Sequence, residues 1–156
     1  MKAKKVIIIS LVSILIAAGL VFICVSFDLN NLTTAKISTD AEIAHLDDLK
    51  DSYIETYKDL YDFDKKQIVF VRFNLNNKSF YTLKNVKLNY NSDYDFERIG
   101  VPDLQDGGEV IGNPRFDNEF VVPFVIGKEI NENDFLKSLK YEFCFSVFNK
   151  SFSLTN

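Results

Sequence analysis

The N-terminal apolar run restricts this chain most, because the stretch from Val6 to Val25 contains no charged residue and no proline. A helix of this length extends about 30 Å at a rise of ~1.5 Å per residue, which matches the hydrocarbon thickness of a bilayer. The sequence therefore predicts a transmembrane signal-anchor over residues 6–25, preceded by a basic cytoplasmic tip over residues 1–5.

The charges around this run predict its orientation. Three lysines within the first five residues precede it, and no basic residue follows it until Lys36. The positive-inside rule then places the N-terminus in the cytoplasm and the C-terminal domain on the extracytoplasmic side of the cell membrane. A cleaved signal peptide remains an alternative, although its apolar core is usually only about 7–15 residues long. A lipoprotein at Cys24 is the other alternative, but the preceding Ile23 is not a small residue.

A spacer over residues 26–38 leads to a segment with the apolar spacing of an amphipathic helix over residues 39–63. Thr39 and Glu42 have the capping-box spacing, and apolar residues then recur at steps of three and four. The opposite face is acidic, with nine Asp/Glu against two Lys between Asp40 and Asp64. The apolar stripe must be covered by the following domain, a second copy or another membrane protein. Its predicted interaction residues are Leu46, Leu49, Tyr53, Tyr57 and Leu60.

From Lys65 onward the apolar residues recur with a period of two, which is typical of strands. Alternating residues run from Val69 to Leu75 and, after the polar turn "NNKS", from Val86 to Tyr90, which predicts an antiparallel hairpin with one buried face. Further predicted strands are Phe96–Val101, Phe120–Ile126, Leu139–Phe148 and Ser151–Leu154. About six strands with no helix between them predict a small β-sandwich over residues 65–156.

The stretch "VRFNLNNKSFYTLKNVKLNY", residues Val71–Tyr90, resembles the start of many bacterial and archaeal surface modules with an immunoglobulin-like sandwich of the cell-adhesion-related type. In those modules a strand ends in Asn, a short polar turn follows, and a second strand returns. The resemblance implies a binding or spacer module without catalytic residues. The predicted fold is therefore mainly β: an immunoglobulin-like antiparallel β-sandwich preceded by a transmembrane helix and an amphipathic acidic helix.

The charges of the strand region disfavour a nucleic-acid surface, because Lys65–Asn156 carries 12 basic and 12 acidic residues. Its acidic loops, "SDYDFE" and "DLQDGGE", offer oxygen ligands of the kind that bind calcium. The weak metal candidates are Asp93, Asp95, Asp103, Asp106 and Glu109. Neither loop has the EF-hand spacing, and turns require Asp and Gly on conformational grounds alone. No other cofactor is predicted.

No catalytic constellation is evident in the sequence. His45 is the only histidine, within the predicted acidic helix, and no "GxSxG" motif occurs. Cys24 and Cys144 lie far apart in sequence, so we expect no intrachain disulfide. The prediction is a non-catalytic envelope binding or accessory subunit, which contacts its partner through a sheet edge or loops. The alternative is an envelope hydrolase, or a ligand or calcium sensor, that uses the acidic loops.

Overall fold

The computed structural model describes residues 2–32, 36–99 and 116–156 of the chain. The chain divides into two compact units, Met1–Lys36 and Ile37–Asn156. The first unit is helical, whereas the second is mainly β and contains two antiparallel sheets. The mainly β character and the N-terminal apolar helix of the predicted fold class are therefore confirmed.

The first unit consists mainly of one apolar helix, α1 (Lys2–Asn30). Its part from Ser10 to Asn30 is long and apolar enough to cross a membrane, and none of the most apolar 18-residue window of that part is buried. Large apolar side chains such as Leu15 and Phe22 are 70% and 73% exposed. Such a surface is stable in lipid and unfavourable in water. A membrane anchor and a signal sequence both fit these properties.

Within residues 37–99 and 116–156, the second unit contains seven strands and two short helices. In chain order they are β1 (Ile37–Ile43), α2 (Asp47–Tyr57), β2 (Lys66–Asn77), β3 (Lys84–Asn91), β4 (Glu97–Arg98), β5 (Phe116–Gly127), α3 (Glu132–Ser138), β6 (Lys140–Val147) and β7 (Lys150–Thr155). One sheet has the strand order β1-β2-β5-β4 and the other has the order β3-β6-β7. All the strand pairs are antiparallel. The long pair of β2 and β5 places Lys66 opposite Gly127 at one end and Asn77 opposite Phe116 at the other.

Aromatic side chains from the inner faces of both sheets form the main core. The ring of Phe73 on β2 lies 5.2 Å from that of Tyr141 on β6. The ring of Phe120 on β5 lies 5.5 Å from that of Phe143 on β6. Each such pair contributes about 0.5–1.5 kcal/mol beyond its buried area. The inward row predicted for residues 69–75 is confirmed, because its alternate residues are buried, and alternate residues from 139 to 147 are buried in the same way.

A second, smaller core lies on the outer face of the four-stranded sheet, where α2 covers it. Ile68 and Phe70 point outward from β2, yet they are only 0% and 3% exposed. They cluster with Ala44, Ile99 and Val125, and partly buried side chains of α2 pack against this cluster. The Tyr53 ring meets the Phe70 ring edge-on at 5.6 Å. The helix is thus part of the folded unit.

The predicted helix over residues 39–63 is wrong in its first part, because Ile37–Ile43 forms the strand β1 and the helix begins only at Asp47. The outer face of β2 explains this difference. Arg72 donates a 2.8 Å hydrogen bond to Glu42, and the side chain of Asn74 donates a 2.6 Å hydrogen bond to Asp40. These long-range partners outweigh the local capping-box spacing, as tertiary contacts often outweigh propensity.

The predicted hairpin of residues 69–90 is also wrong, because β2 and β3 belong to different sheets. Their connection is an arch with a buried centre. The Asn77 side chain donates to the carbonyl of Tyr81 at 2.8 Å and accepts hydrogen bonds from the backbone and hydroxyl of Ser79. Leu83 is fully buried beneath the arch. These interactions carry the chain from one layer to the other, so β2 pairs with β5 instead.

The other predicted strands are largely confirmed. Phe120–Ile126 lies within β5, and β6 and β7 match the last two predicted strands. Only Glu97–Arg98 of the predicted strand Phe96–Val101 is a described strand, and Val101 lies outside the described residues. The expectation that no helix interrupts the strands is wrong, because α3 lies between β5 and β6. Asn131 caps α3 by accepting a 2.9 Å hydrogen bond from the Asn133 backbone.

Candidate functional site

An open groove lies at the end of the four-stranded sheet where β2 begins and β5 ends. We call it the acidic groove, and its volume is about 720 Å³. Its lining residues are Lys66, Asp93–Glu97, Val125–Gly127, Glu129 and Ile130. The strand pairs Lys66–Gly127 and Glu97–Val125 fix its walls. The absence of a side chain at Gly127 leaves room for the Glu129 carboxylate, which folds back against it.

One wall of the acidic groove carries a small charged network. Lys66 Nζ donates a 2.7 Å hydrogen bond to Glu97 Oε1 and lies 5.1 Å from the centre of the Tyr61 ring. The Lys66 hydrogen bond lowers the pKa of Glu97, and the same bond raises the pKa of Lys66. Burial raises the pKa of Tyr61, and its hydrogen bond with Glu97 raises it further. The network therefore holds Lys66 and Glu97 as an ion pair in a wall that is largely exposed to solvent.

Most of the other carboxylates of the acidic groove face solvent. Asp93, Asp95 and Glu129 are all exposed. Asp93 makes a 3.4 Å ion pair with Lys140, in which both side chains are highly exposed. This excess of exposed negative charge over the single groove lysine suits a cationic ligand.

The metal candidates divide between described and undescribed parts of the chain. Among residues 2–32, 36–99 and 116–156, no group of three or more His, Cys, Asp or Glu is placed to hold a metal ion. Asp93 and Asp95 lie in the acidic groove. Asp103, Asp106 and Glu109 lie outside the described residues. Calcium binding by the two loops thus stays a prediction.

The predicted interaction stripe also divides. Leu46, Tyr53 and Tyr57 pack against the outer-face cluster of the four-stranded sheet. Leu49 and Leu60 are 42% and 73% exposed. Most of the stripe is thus covered by its own domain. The stripe residues that a partner can reach are Leu49 and Leu60.

The remaining reactive side chains do not converge on the acidic groove. His45 is exposed and lies in the connection between β1 and α2. The sequence had predicted that it lies within a helix. Cys24 and Cys144 are free thiols. Burial raises the pKa of the Cys144 thiol, and the negative charge of Glu142 adds to the effect. Cys144 is thus held in its unreactive protonated form at neutral pH.

Lys66, Tyr61 and Glu129 were not predicted as members of a site. None of them lies in either acidic loop that the sequence singles out. Lys66 and Glu97 are 31 residues apart, and they meet because β4 joins the far edge of β5. That pairing depends on long-range contacts, so a single sequence does not reveal it.

Comparisons with known proteins add little. No protein-family model matches the chain, and no curated protein matches it. Among solved structures, it is similar to a FixG-related protein from Vibrio parahaemolyticus, with 10% sequence identity and a TM-score of 0.35. The match covers 78% of this chain and 93% of that one. A similarity at this level carries no argument about function.

Proposed function

We propose that this protein is a non-catalytic, single-pass membrane protein that presents an immunoglobulin-like β-sandwich on the extracytoplasmic side as a binding or accessory subunit. The observation that carries the proposal is the exposed apolar surface of α1, which needs lipid around it. The lysines before α1 favour a cytoplasmic N-terminus. Two antiparallel sheets joined by the arch after β2 support the sandwich type.

The acidic groove is the proposed contact surface for a partner protein. Its exposed carboxylates and its apolar floor, which includes Phe96 and Ile130, suit a segment that carries both Lys or Arg and apolar side chains. Rim charges of this kind contribute mainly to specificity and to the rate of association. Addition of a partner strand to a sheet edge is the second contact mode open to this fold.

The proposal is tested by purifying the full-length protein from its own membranes in mild detergent and identifying bound proteins by mass spectrometry. Asp95→Asn combined with Glu129→Gln neutralises two groove carboxylates. Asp51→Asn combined with Glu55→Gln makes the same charge change on the exposed face of α2 and is the matched control. We expect a stoichiometric partner that is lost in the groove variant and retained in the control.

Two results would contradict this proposal. Recovery of the chain without a second protein would remove the accessory-subunit role. Equal retention of the partner by the groove and helix variants would move the contact away from the acidic groove. A homo-oligomer that Leu60→Lys dissociates would instead support self-association through the exposed edge of the stripe, since Leu60 is 73% exposed.

A further inference from the structure

The end of the sandwich opposite the acidic groove is the end at which the chain enters the domain. Ile37, the first residue of β1, pairs with Asn77, the last residue of β2. The arch over residues 78–83 therefore lies at this end. The turn between β6 and β7 lies there too, because the rings of Tyr81 and Phe148 are in edge-on contact at 5.7 Å. We call this surface the aromatic end.

Two phenylalanines stand out of the aromatic end into solvent. Phe80 is 69% exposed and Phe148 is 68% exposed. Phe148 also has a φ of 53°, in the left-handed region that a bulky residue rarely adopts. This φ is what a two-residue turn requires at its first position, and Val147 and Lys150 pair on either side of it. A polar or small residue satisfies such a turn, so the turn does not require the exposed ring of Phe148.

The arch and the turn carry positive charge, whereas Asp117 on β5, opposite Asn76, places an exposed carboxylate at the same end. Lys78, Lys84 and Lys150 lie in or beside the arch and the turn, and all three are exposed. The sequence has no Asp or Glu between Lys65 and Ser92, and none after Glu142. Exposed aromatic rings flanked by lysines have the chemistry that binds the headgroup region of an anionic bilayer. The acidic groove, at the other end, would be repelled by the same surface.

Chain length keeps the aromatic end close to the membrane, if α1 spans it as proposed above. Helix α1 ends at Asn30, and β1 begins at Ile37. These seven steps reach at most about 25 Å when fully extended. A tether this short raises the effective concentration of the domain at a bilayer that α1 spans, and it thereby strengthens weak lipid contacts.

We propose that the aromatic end docks on the anionic lipid surface beside the anchor, with Phe80 and Phe148 inserted among the headgroups and the three lysines against lipid phosphates. This docking rests on the proposed membrane attachment. It deepens that proposal, because it turns the acidic groove away from the bilayer and towards a partner.

The chain contains no Trp, so single tryptophans report on this contact. Phe80→Trp and Phe148→Trp are made in the full-length protein, with Leu60→Trp as the control. Leu60 is equally exposed, at 73%, and precedes β2 at the opposite end. The variants are placed in nanodiscs of phosphatidylcholine, with or without phosphatidylglycerol, whose acyl chains are brominated near the headgroup.

We expect brominated lipid to quench the Phe80→Trp and Phe148→Trp emission, with stronger quenching in anionic discs and less at high salt, whereas Leu60→Trp emission stays unchanged. Lys78→Glu should reduce the quenching. Equal quenching at all three positions would overturn the docking. A spectral shift that requires two copies of the chain per disc, and not brominated lipid, would also overturn the docking, because such a shift indicates self-association.

Incorporation into discs separates this inference from the proposal on which it rests. A chain that resists alkaline extraction from the bilayer but shows no selective quenching retains its anchor and disproves the docking. A chain that alkali removes from the bilayer disproves the membrane attachment itself. Circular dichroism of each variant confirms that the substituted domain is folded.

Discussion

Truncating Tyr53 and Phe70, singly and together, tests whether α2 belongs to the domain core. Phe70 is 3% exposed, so Phe70→Ala should reduce the free energy of unfolding by about 3–5 kcal/mol. Tyr53 is only partly buried, and Tyr53→Ala should cost about 1–2 kcal/mol. Because the two rings meet edge-on at 5.6 Å, the double variant should lose less than the sum of the single losses, by about 0.5–1.5 kcal/mol.

The free energies come from urea denaturation of the full-length protein in mild detergent, followed by circular dichroism. Leu60→Ala is the control, since a side chain that is 73% exposed should change stability by less than about 0.5 kcal/mol. Strictly additive losses, with Tyr53→Ala near zero, would refute the packing of α2 on the sheet. So would an oligomer that Tyr53→Ala dissociates without loss of stability, because the stripe would then be an interface.

Three further predictions concern single side chains. Asn77→Ala should reduce the free energy of unfolding by about 2–3 kcal/mol in urea denaturation, because the buried Asn77 side chain makes hydrogen bonds with Tyr81 and Ser79. An unchanged midpoint would contradict this prediction. The Lys66 hydrogen bond lowers the pKa of Glu97. The ion pair therefore stabilises the fold fully at neutral pH, and this stabilisation is lost as the pH falls below 4.5 through the folded-state pKa. Because the pair is exposed, Glu97→Gln should reduce the free energy of unfolding by less than about 1 kcal/mol at neutral pH and should not reduce it in acid. A loss that grows as the pH falls would contradict this prediction. In a variant with Cys24 replaced by serine, iodoacetamide should alkylate Cys144 more slowly than it alkylates free cysteine at neutral pH, because burial raises the pKa of Cys144 above 9.0. The rate is followed by intact-protein mass spectrometry, and an equal rate would contradict this prediction.

Local periodicity was sufficient to predict the inner rows of the strands. The alternation from Val69 to Leu75 specifies a strand with one buried face, whatever its partners are. The same alternation also runs through Ile37–Ile43, but there it overlaps a capping-box spacing and the first apolar position of a helix. The choice between strand and helix depends on Arg72 and Asn74, which bind this segment from across the sheet.

Contacts between layers and between loops were beyond single-sequence reasoning. A polar turn between two alternating segments predicts a hairpin, whereas the buried side chain of Asn77 makes this turn an arch between sheets. The acidic groove was visible only as the carboxylates of one loop, because its other wall comes from the end of β5. The aromatic end was missed for the same reason: Tyr81 and Phe148 lie far apart in the sequence, and their rings meet only in the fold.

The proposed topology is tested by measuring on which side of the membrane the β domain is accessible. Leu60→Cys, at an exposed position, is introduced into a chain in which Cys24 and Cys144 are serine. Spheroplasts of a bacterial expression host are treated with a membrane-impermeant maleimide before and after permeabilisation. An extracytoplasmic sandwich predicts full labelling of the membrane-bound chain in intact spheroplasts. Labelling only after permeabilisation, or recovery of the labelled domain free of the membrane, would contradict the account.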